Sequence, residues 1–136
     1  MRLSNANLAA LASGVTPPRY DREAHGVGIV HLGIGAFHRA HMAAYTDDVM
    51  AADGGDWRIL GVSLRSPGVR DQMRPQDGLY SLVERSKSGS KAHIIGAIAD
   101  VLVASEERQR LIAALAAPKT HIVSFTITEK GYCRAP

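Results

Sequence analysis

Residues 27–48 read VGIVHLGIGAFHRAHMAAYTDD, and this run constrains the fold more than any other part of the chain. Five of its first six residues are apolar or glycine, which marks 27–32 as a short buried strand. Gly33 and Gly35 follow, one residue apart. The stretch 36–52 then lacks Pro and Gly and is rich in helix formers, until Asp53-Gly54-Gly55-Asp56 ends it with turn chemistry. A second strand is expected over 57–64. Strand, glycine turn, helix and strand within forty residues imply a βαβ unit with parallel strands and a right-handed crossover.

The remainder extends that pattern. Ser66-Pro67-Gly68 turns the chain, and 69–74 fits one or two helical turns. Residues 79–85 and 92–98 read as a hairpin around the polar loop 86–91. Ser105 is the expected N-cap of a helix running to about residue 117, with Glu106 and Glu107 in its first turn and Pro118 as its stop. A third core strand is expected over 121–128. At the N-terminus, Leu3, Leu8 and Leu11 have loose helical spacing and suggest a short surface helix. Thr16-Pro17-Pro18 then leads into an extended arm. The expected organisation is residues 1–26 as helix and arm, and 27–136 as an α/β unit with a mostly parallel sheet and one inserted β-hairpin.

In open sheets of this kind ligands bind beyond the carboxyl ends of the strands. Three segments are expected there: 33–39, 65–68 and 128–132. A glycine at the strand-to-helix junction adopts backbone angles closed to other residues and lets a diphosphate approach the chain. The helix start then offers free N–H groups. Gly33, Ile34, Gly35, Ala36, Phe37, His38 and Arg39 are therefore candidate cofactor contacts, with Arg65 and Thr128 from the other two segments. The dinucleotide pattern G-x-G-x-x-G/A is incomplete, because its last position is His38; a purely structural tight turn is the competing reading. The His38 imidazole or the Arg39 guanidinium would suit a phosphate oxygen, or either packs on the helix. His38, His41 and Tyr45 are spaced for one helical face, read as a buried, hydrogen-bonded face rather than a metal site, since no further ligand is spaced to join them. Asp53 lies at the usual distance for a ribose-binding acid, but in the loop before the second strand. Arg65, Ser66 and Pro67 occupy the end of that strand. None is acidic, so both NAD and NADP stay open, Arg65 being able to meet a 2′-phosphate.

Composition narrows the function class. The net charge is +3 and the sequence pI about 9.3, but the basic residues are scattered, which argues against a nucleic-acid partner. No apolar run is long enough to span a bilayer, and the N-terminal segment makes a poor signal peptide. Cys133 is the single cysteine, so no internal disulfide forms, in keeping with a cytoplasmic protein.

With these residues in view, the chain resembles the N-terminal nucleotide-binding segment of the long-chain mannitol dehydrogenase family, which includes mannitol 2-dehydrogenase and fructuronate reductase (D-mannonate oxidoreductase). The resemblance rests on GIGAFHRAH within 29–48, on Tyr20-Asp21-Arg22, on Gln76-Asp77-Gly78-Leu79-Tyr80 and on Thr126-Ile127-Thr128-Glu129-Lys130-Gly131-Tyr132, in that order along residues 20–133.

The resemblance implies a Rossmann-like fold, incomplete relative to the family, and an NAD(P)-dependent oxidoreductase. Its reaction interconverts a polyol or aldonate and the corresponding keto sugar: mannitol and fructose, or mannonate and fructuronate, with a slight lean to the mannonate branch. NAD is the implied cofactor and a small polyol or sugar acid the implied partner. Glu129 matches a family glutamate linked to proton movement, the alternative being a structural anion. An alcohol oxidation needs such a route, because a proton must leave oxygen as hydride leaves carbon. The family's catalytic Lys, with its Asn and His, belongs to a later helical domain that nothing here matches. The chain is therefore expected to be a fragment, inactive alone, binding nucleotide at most, and self-associating through apolar edges.

Overall fold

The computed structural model describes residues 2–127. In chain order the strands are β1 (Val15–Thr16), β2 (Val27–Leu32), β3 (Arg58–Ser63), β4 (Tyr80–Ser86), β5 (Gly89–Ile95), β6 (Ile98–Val103) and β7 (Ile122–Phe125). The α-helices are α1 (Ala36–Ala40), α2 (Met42–Asp53), α3 (Gly68–Met73) and α4 (Arg108–Leu115). Short 3-10 turns cover Asn5–Ala10, Arg22–Ala24 and Arg74–Gln76.

Two sheets form. The larger has strand order β6-β3-β2-β7, parallel throughout. The chain winds outward from β2 through β3 to β6, then returns to place β7 on the other side of β2. β2 is thus the point where the strand order reverses, the position at which α/β sheets bind ligands. Ile29, Val30, Ile59, Val62, Val101 and Leu102 fill its core almost completely shielded from solvent. The smaller sheet, β1-β5-β4, is the inserted hairpin with the N-terminal arm added parallel to β5. It shares the apolar cluster of the large sheet through Ile95, with Tyr80 and Leu82 packed against it, alongside Ala43 of α2.

Several local expectations change. Residues 92–98 are not one strand: β5 stops at Ile95, and Ile98 starts β6, a fourth parallel strand the sequence reading did not separate. The loop 86–91 shrinks to Lys87-Ser88, because Ser86 pairs with Gly89, whose φ of 130° suits a tight hairpin. The helix expected from residue 36 to 52 is broken at His41, whose backbone (φ −121°, ψ −81°) is not helical. Ser105 does not cap α4. That helix begins at Arg108, because the Glu107 carboxylate accepts from the Val103 amide (3.0 Å) and pairs with Arg74 (2.8 Å) and Arg110 (2.6 Å), holding 104–106 as a turn. Of the N-terminal leucines only Leu8 lies on the 3-10 turn Asn5–Ala10, which buries none of its residues; Leu3 precedes it and Leu11 follows in extended backbone.

The arm is anchored by one buried cation. Arg22, 4% exposed, donates to the carbonyls of Gly96 (2.8 Å), Ile98 (3.0 Å) and Asp77 (2.7 Å), and to the Asn5 side chain. Tyr20 donates to the buried Asp47 carboxylate at 2.6 Å, and Asp47 also accepts from the Gly96 amide at 2.7 Å. The β5–β6 corner is therefore clamped from both sides. Replacing Arg22 by Met leaves three carbonyls without a charged donor and is expected to lower the unfolding free energy by roughly 3 kcal/mol in urea titrations. A loss too small to resolve would show that the arm lies outside the cooperative unit.

Candidate dinucleotide site

The chain leaves β2 through an elbow tied to its neighbour. The amides of Gly33 and Ile34 both donate to the Val62 carbonyl of β3 (2.8 and 3.2 Å), and the Gly35 amide turns back onto Gly33 (2.6 Å). Gly33 has φ +95°, a backbone that side-chain-bearing residues rarely adopt, and a Cβ there would stand 3.3 Å from the Thr126 carbonyl. The fully buried Ile34 side chain lies against Gly61, where a Cβ would come within 2.8 Å of it. The elbow is thus fixed by β3 below and by the segment after β7 beside it.

α1 starts at Ala36, immediately past the elbow. Arg39 donates to the Gly35 carbonyl as the first helical bond. Among the described residues no backbone carbonyl accepts from Ala36, Phe37 or His38. Gly35, Ala36 and Phe37 are exposed. The amides of 36–38 therefore lack backbone partners, those of Ala36 and Phe37 on exposed residues and that of His38 on a buried one, whereas those of 33–35 are spent inside the turn. A cleft of about 570 Å³ opens here, lined by Gly33, Ile34 and Gly35, by Ser63 to Ser66 and Val69, and by Thr126 and Ile127. Among the described lining residues Arg65 is the one charged side chain, a setting that favours an anion. Arg39 is half-buried and its guanidinium donates to the Ile34 carbonyl at 3.1 Å.

His38 is not the exposed phosphate donor that its position in the sequence suggests. The residue is 2% exposed and its ring stacks on His31, centroids 3.6 Å apart and planes 20° from parallel. Neither ring nitrogen has a partner among the described residues. Burial, with the electrostatic repulsion that a second proton would meet from His31 and from Arg39, pushes its pKa down to about 4. Burial lowers His31 as well. The expected His38, His41, Tyr45 face does not form, because the helix breaks at His41. His41 is exposed, stacks on Phe37 and approaches the Phe37 carbonyl, and Tyr45 is 65% exposed. Asp53 ends α2, at the opposite end of the sheet from the cleft. Among the described residues no three His, Cys, Asp or Glu side chains converge as a metal set. No described helix is long and apolar enough to cross a membrane. Thr128 and Glu129 lie outside the described residues.

His31 is the site residue the sequence reading missed. It stands on β2 directly below the elbow, its two nitrogens 2.8 Å from the Ser124 hydroxyl and 3.0 Å from the Thr126 hydroxyl. A histidine inside an apolar strand run was its only sequence signal.

A parallel sheet wound both ways from a central strand, with a glycine elbow at the reversal point, defines a nucleotide-binding domain of the Rossmann class. The family model described as "Mannitol dehydrogenase Rossmann domain" matches residues 27–136, and the chain belongs to that family. The mannitol 2-dehydrogenase of Pyrenophora tritici-repentis is 46% identical over 97% of this chain, and that of Aspergillus terreus 47% over 97%. The Pseudomonas fluorescens mannitol 2-dehydrogenase, solved as a ternary complex with NAD and D-mannitol, superposes with a TM-score of 0.90 at 45% identity over 98% of the chain. A D-sorbitol dehydrogenase in substrate-free form superposes at 0.89 with 37% identity over 96%. The chain spans only 24% and 28% of the two curated relatives and 28% of each solved chain.

The buried His38 gives the fold a defined acid response. Folded, it takes a proton only near pH 4; unfolded, near its ordinary 6.5. Between those values the unfolded chain holds more protons. Stability is therefore fully present above about pH 6.5 and falls as the pH drops, by roughly 3 kcal/mol at pH 4. The His38→Phe variant keeps a ring against His31 and should flatten that part of the curve when urea midpoints are compared from pH 7 to pH 4. An unchanged slope would place the acid sensitivity elsewhere.

Proposed function

We propose that this segment supplies the coenzyme-binding part of an NAD-dependent oxidoreductase that interconverts a mannitol-type polyol and its ketose. One observation carries the reading: unpaired amides of 36–38 at the reversal point of the sheet, beside a cleft with no described acidic lining. Family membership and the NAD and D-mannitol of the Pseudomonas fluorescens relative support it.

The residues fit a dinucleotide diphosphate on physical grounds. Gly35 leaves open space, since a Cβ there would meet nothing closer than 3.8 Å. Gly33 allows the backbone to turn sharply enough to expose the start of α1. The backbone N–H groups of Ala36, Phe37 and His38 would donate to diphosphate oxygens, with the positive end of the helix behind them. Arg39 holds the elbow's Ile34 carbonyl while adding positive charge, and Arg65 stands at the end of β3, where the adenosine half is expected. The bound nicotinamide supplies hydride acceptance from the carbinol carbon. This chain's part is to bind and orient the coenzyme; within the same reading Thr128 adds a contact and Glu129 belongs to the proton route.

NADH is expected to bind the chain with enhanced fluorescence. Gly33→Ala, which forces a side chain into a φ of +95°, should weaken binding by about tenfold or more. No NADH binding by the unaltered chain would overturn the reading.

Association belongs to the same proposal. Val123, Phe125 and Ile127 are each about half exposed or more, and among the described residues no strand pairs with the outer side of β7. Sedimentation velocity should show dimers or larger species at high concentration. Val123→Lys, a charge on the edge, should shift them toward monomer; a concentration-independent monomer would remove this part.

A further inference from the structure

We propose that His31 is a positioning residue for the cleft: its imidazole ties the end of β2 to β7 and to Thr126 just beyond it, and so sets the spacing of the two loops that grip the coenzyme. The inference rests on the reading of the cleft as a dinucleotide site.

β7 needs such a tether. It has four residues, pairs only with β2 among the described strands, and leaves Ile122, Val123 and Phe125 exposed. Main-chain pairing ends at Leu32↔Phe125, with one further bond from the Thr126 amide to the Leu32 carbonyl (3.0 Å). Beyond that point the loop walls the cleft with Thr126 and Ile127.

His31 supplies the missing hold. In the β2–β7 register it stands opposite Ser124, and Thr126 lies two residues further on the same face. A rigid five-membered ring with polar atoms on two edges spans those two hydroxyls, one nitrogen to each. A neutral imidazole donates at one nitrogen and accepts at the other, and a hydroxyl serves either role, so both bonds form in either tautomer.

The stacked His38 ring supplies a flat wall that stops His31 from rotating. Having no hydrogen-bond partner of its own among the described residues, it also does not compete for the two hydroxyls. Movement of Thr126 reaches the elbow directly, because its carbonyl stands within 3.3 Å of the space beside the Gly33 α-carbon. Loss of the tether therefore leaves the Thr126 wall of the cleft held by the single amide bond to Leu32, and shifts the glycine at the elbow.

The test compares the unaltered chain with His31→Phe, His31→Gln and Ser124→Ala. Amide exchange is read at Thr126 and Gly33, alongside NADH affinity and the unfolding midpoint. His31→Phe keeps the stacking plane and removes both bonds. It should speed exchange at Thr126 by about tenfold relative to the Val30 and Val62 amides and weaken NADH by a similar factor, as expected for two lost hydrogen bonds. His31→Gln, able to reach one hydroxyl, should recover part of both effects. Ser124→Ala removes one bond from a residue outside the cleft and should give about a threefold change in each, which keeps the test decisive if the buried substitutions do not fold. A general loss of stability, with Thr126 exchanging in step with the rest of the sheet and NADH affinity unchanged, would overturn the inference. If the unaltered chain binds no NADH, the reading of the cleft fails, while the exchange data still decide whether His31 holds the loop.

Discussion

One carbonyl, that of Val62, receives the amides of both Gly33 and Ile34. This forked bond makes the end of β2 fold sharply across β3 instead of continuing as strand. Ile34 can follow it down only because Gly61 has no side chain. Two glycines with different duties therefore meet at one place. Gly33 supplies a left-handed backbone, and Gly61 supplies room. The first amides of α1 are left without backbone partners by this packing, and the proposed anion contact at the elbow rests on core geometry more than on any charged residue.

The βαβ core was legible because its signals are local. An apolar run of six, two glycines, a helix-forming stretch and a turn cluster lie consecutively, and the period changes where the structure changes. The missing strand shows the limit of that approach. Ile94 to Val103 is almost uninterrupted apolar sequence, and only Gly96-Ala97 separates β5 from β6. The boundary is imposed by Arg22 and Asp47, which bond the carbonyl and the amide of Gly96 from more than forty residues away. No window of sequence contains both partners. The same holds for Glu107, whose role as a clamp on 104–106 depends on Arg74 in another helix.

The site divides along similar lines. The backbone course of the elbow was legible from spacing, since glycine placement reports backbone geometry directly. The fate of the His38 ring was not, because an imidazole suits a phosphate or a core equally well until its neighbours are known. Its burial depends on His31, seven residues earlier on a different element, and on the break at His41 that tilts α1 away from α2. Two stacked imidazoles lie beneath the helix start, so in the proposed site the polarity comes from backbone dipoles while the rings beneath favour the neutral form. Protonating either ring would add charge inside the core, which explains why both are held below the ordinary histidine range.

The order in which the strands are made bears on how such a chain emerges during synthesis. β2, β3 and β6 can assemble on one side as they leave the ribosome, each beside its predecessor, before β7 exists. β7 then docks on the vacant flank of β2, the strand translated first among the four. Until that happens the oldest strand of the sheet keeps a bare rim, and a nascent polypeptide in that condition is a natural client for a chaperone that shields unpaired backbone.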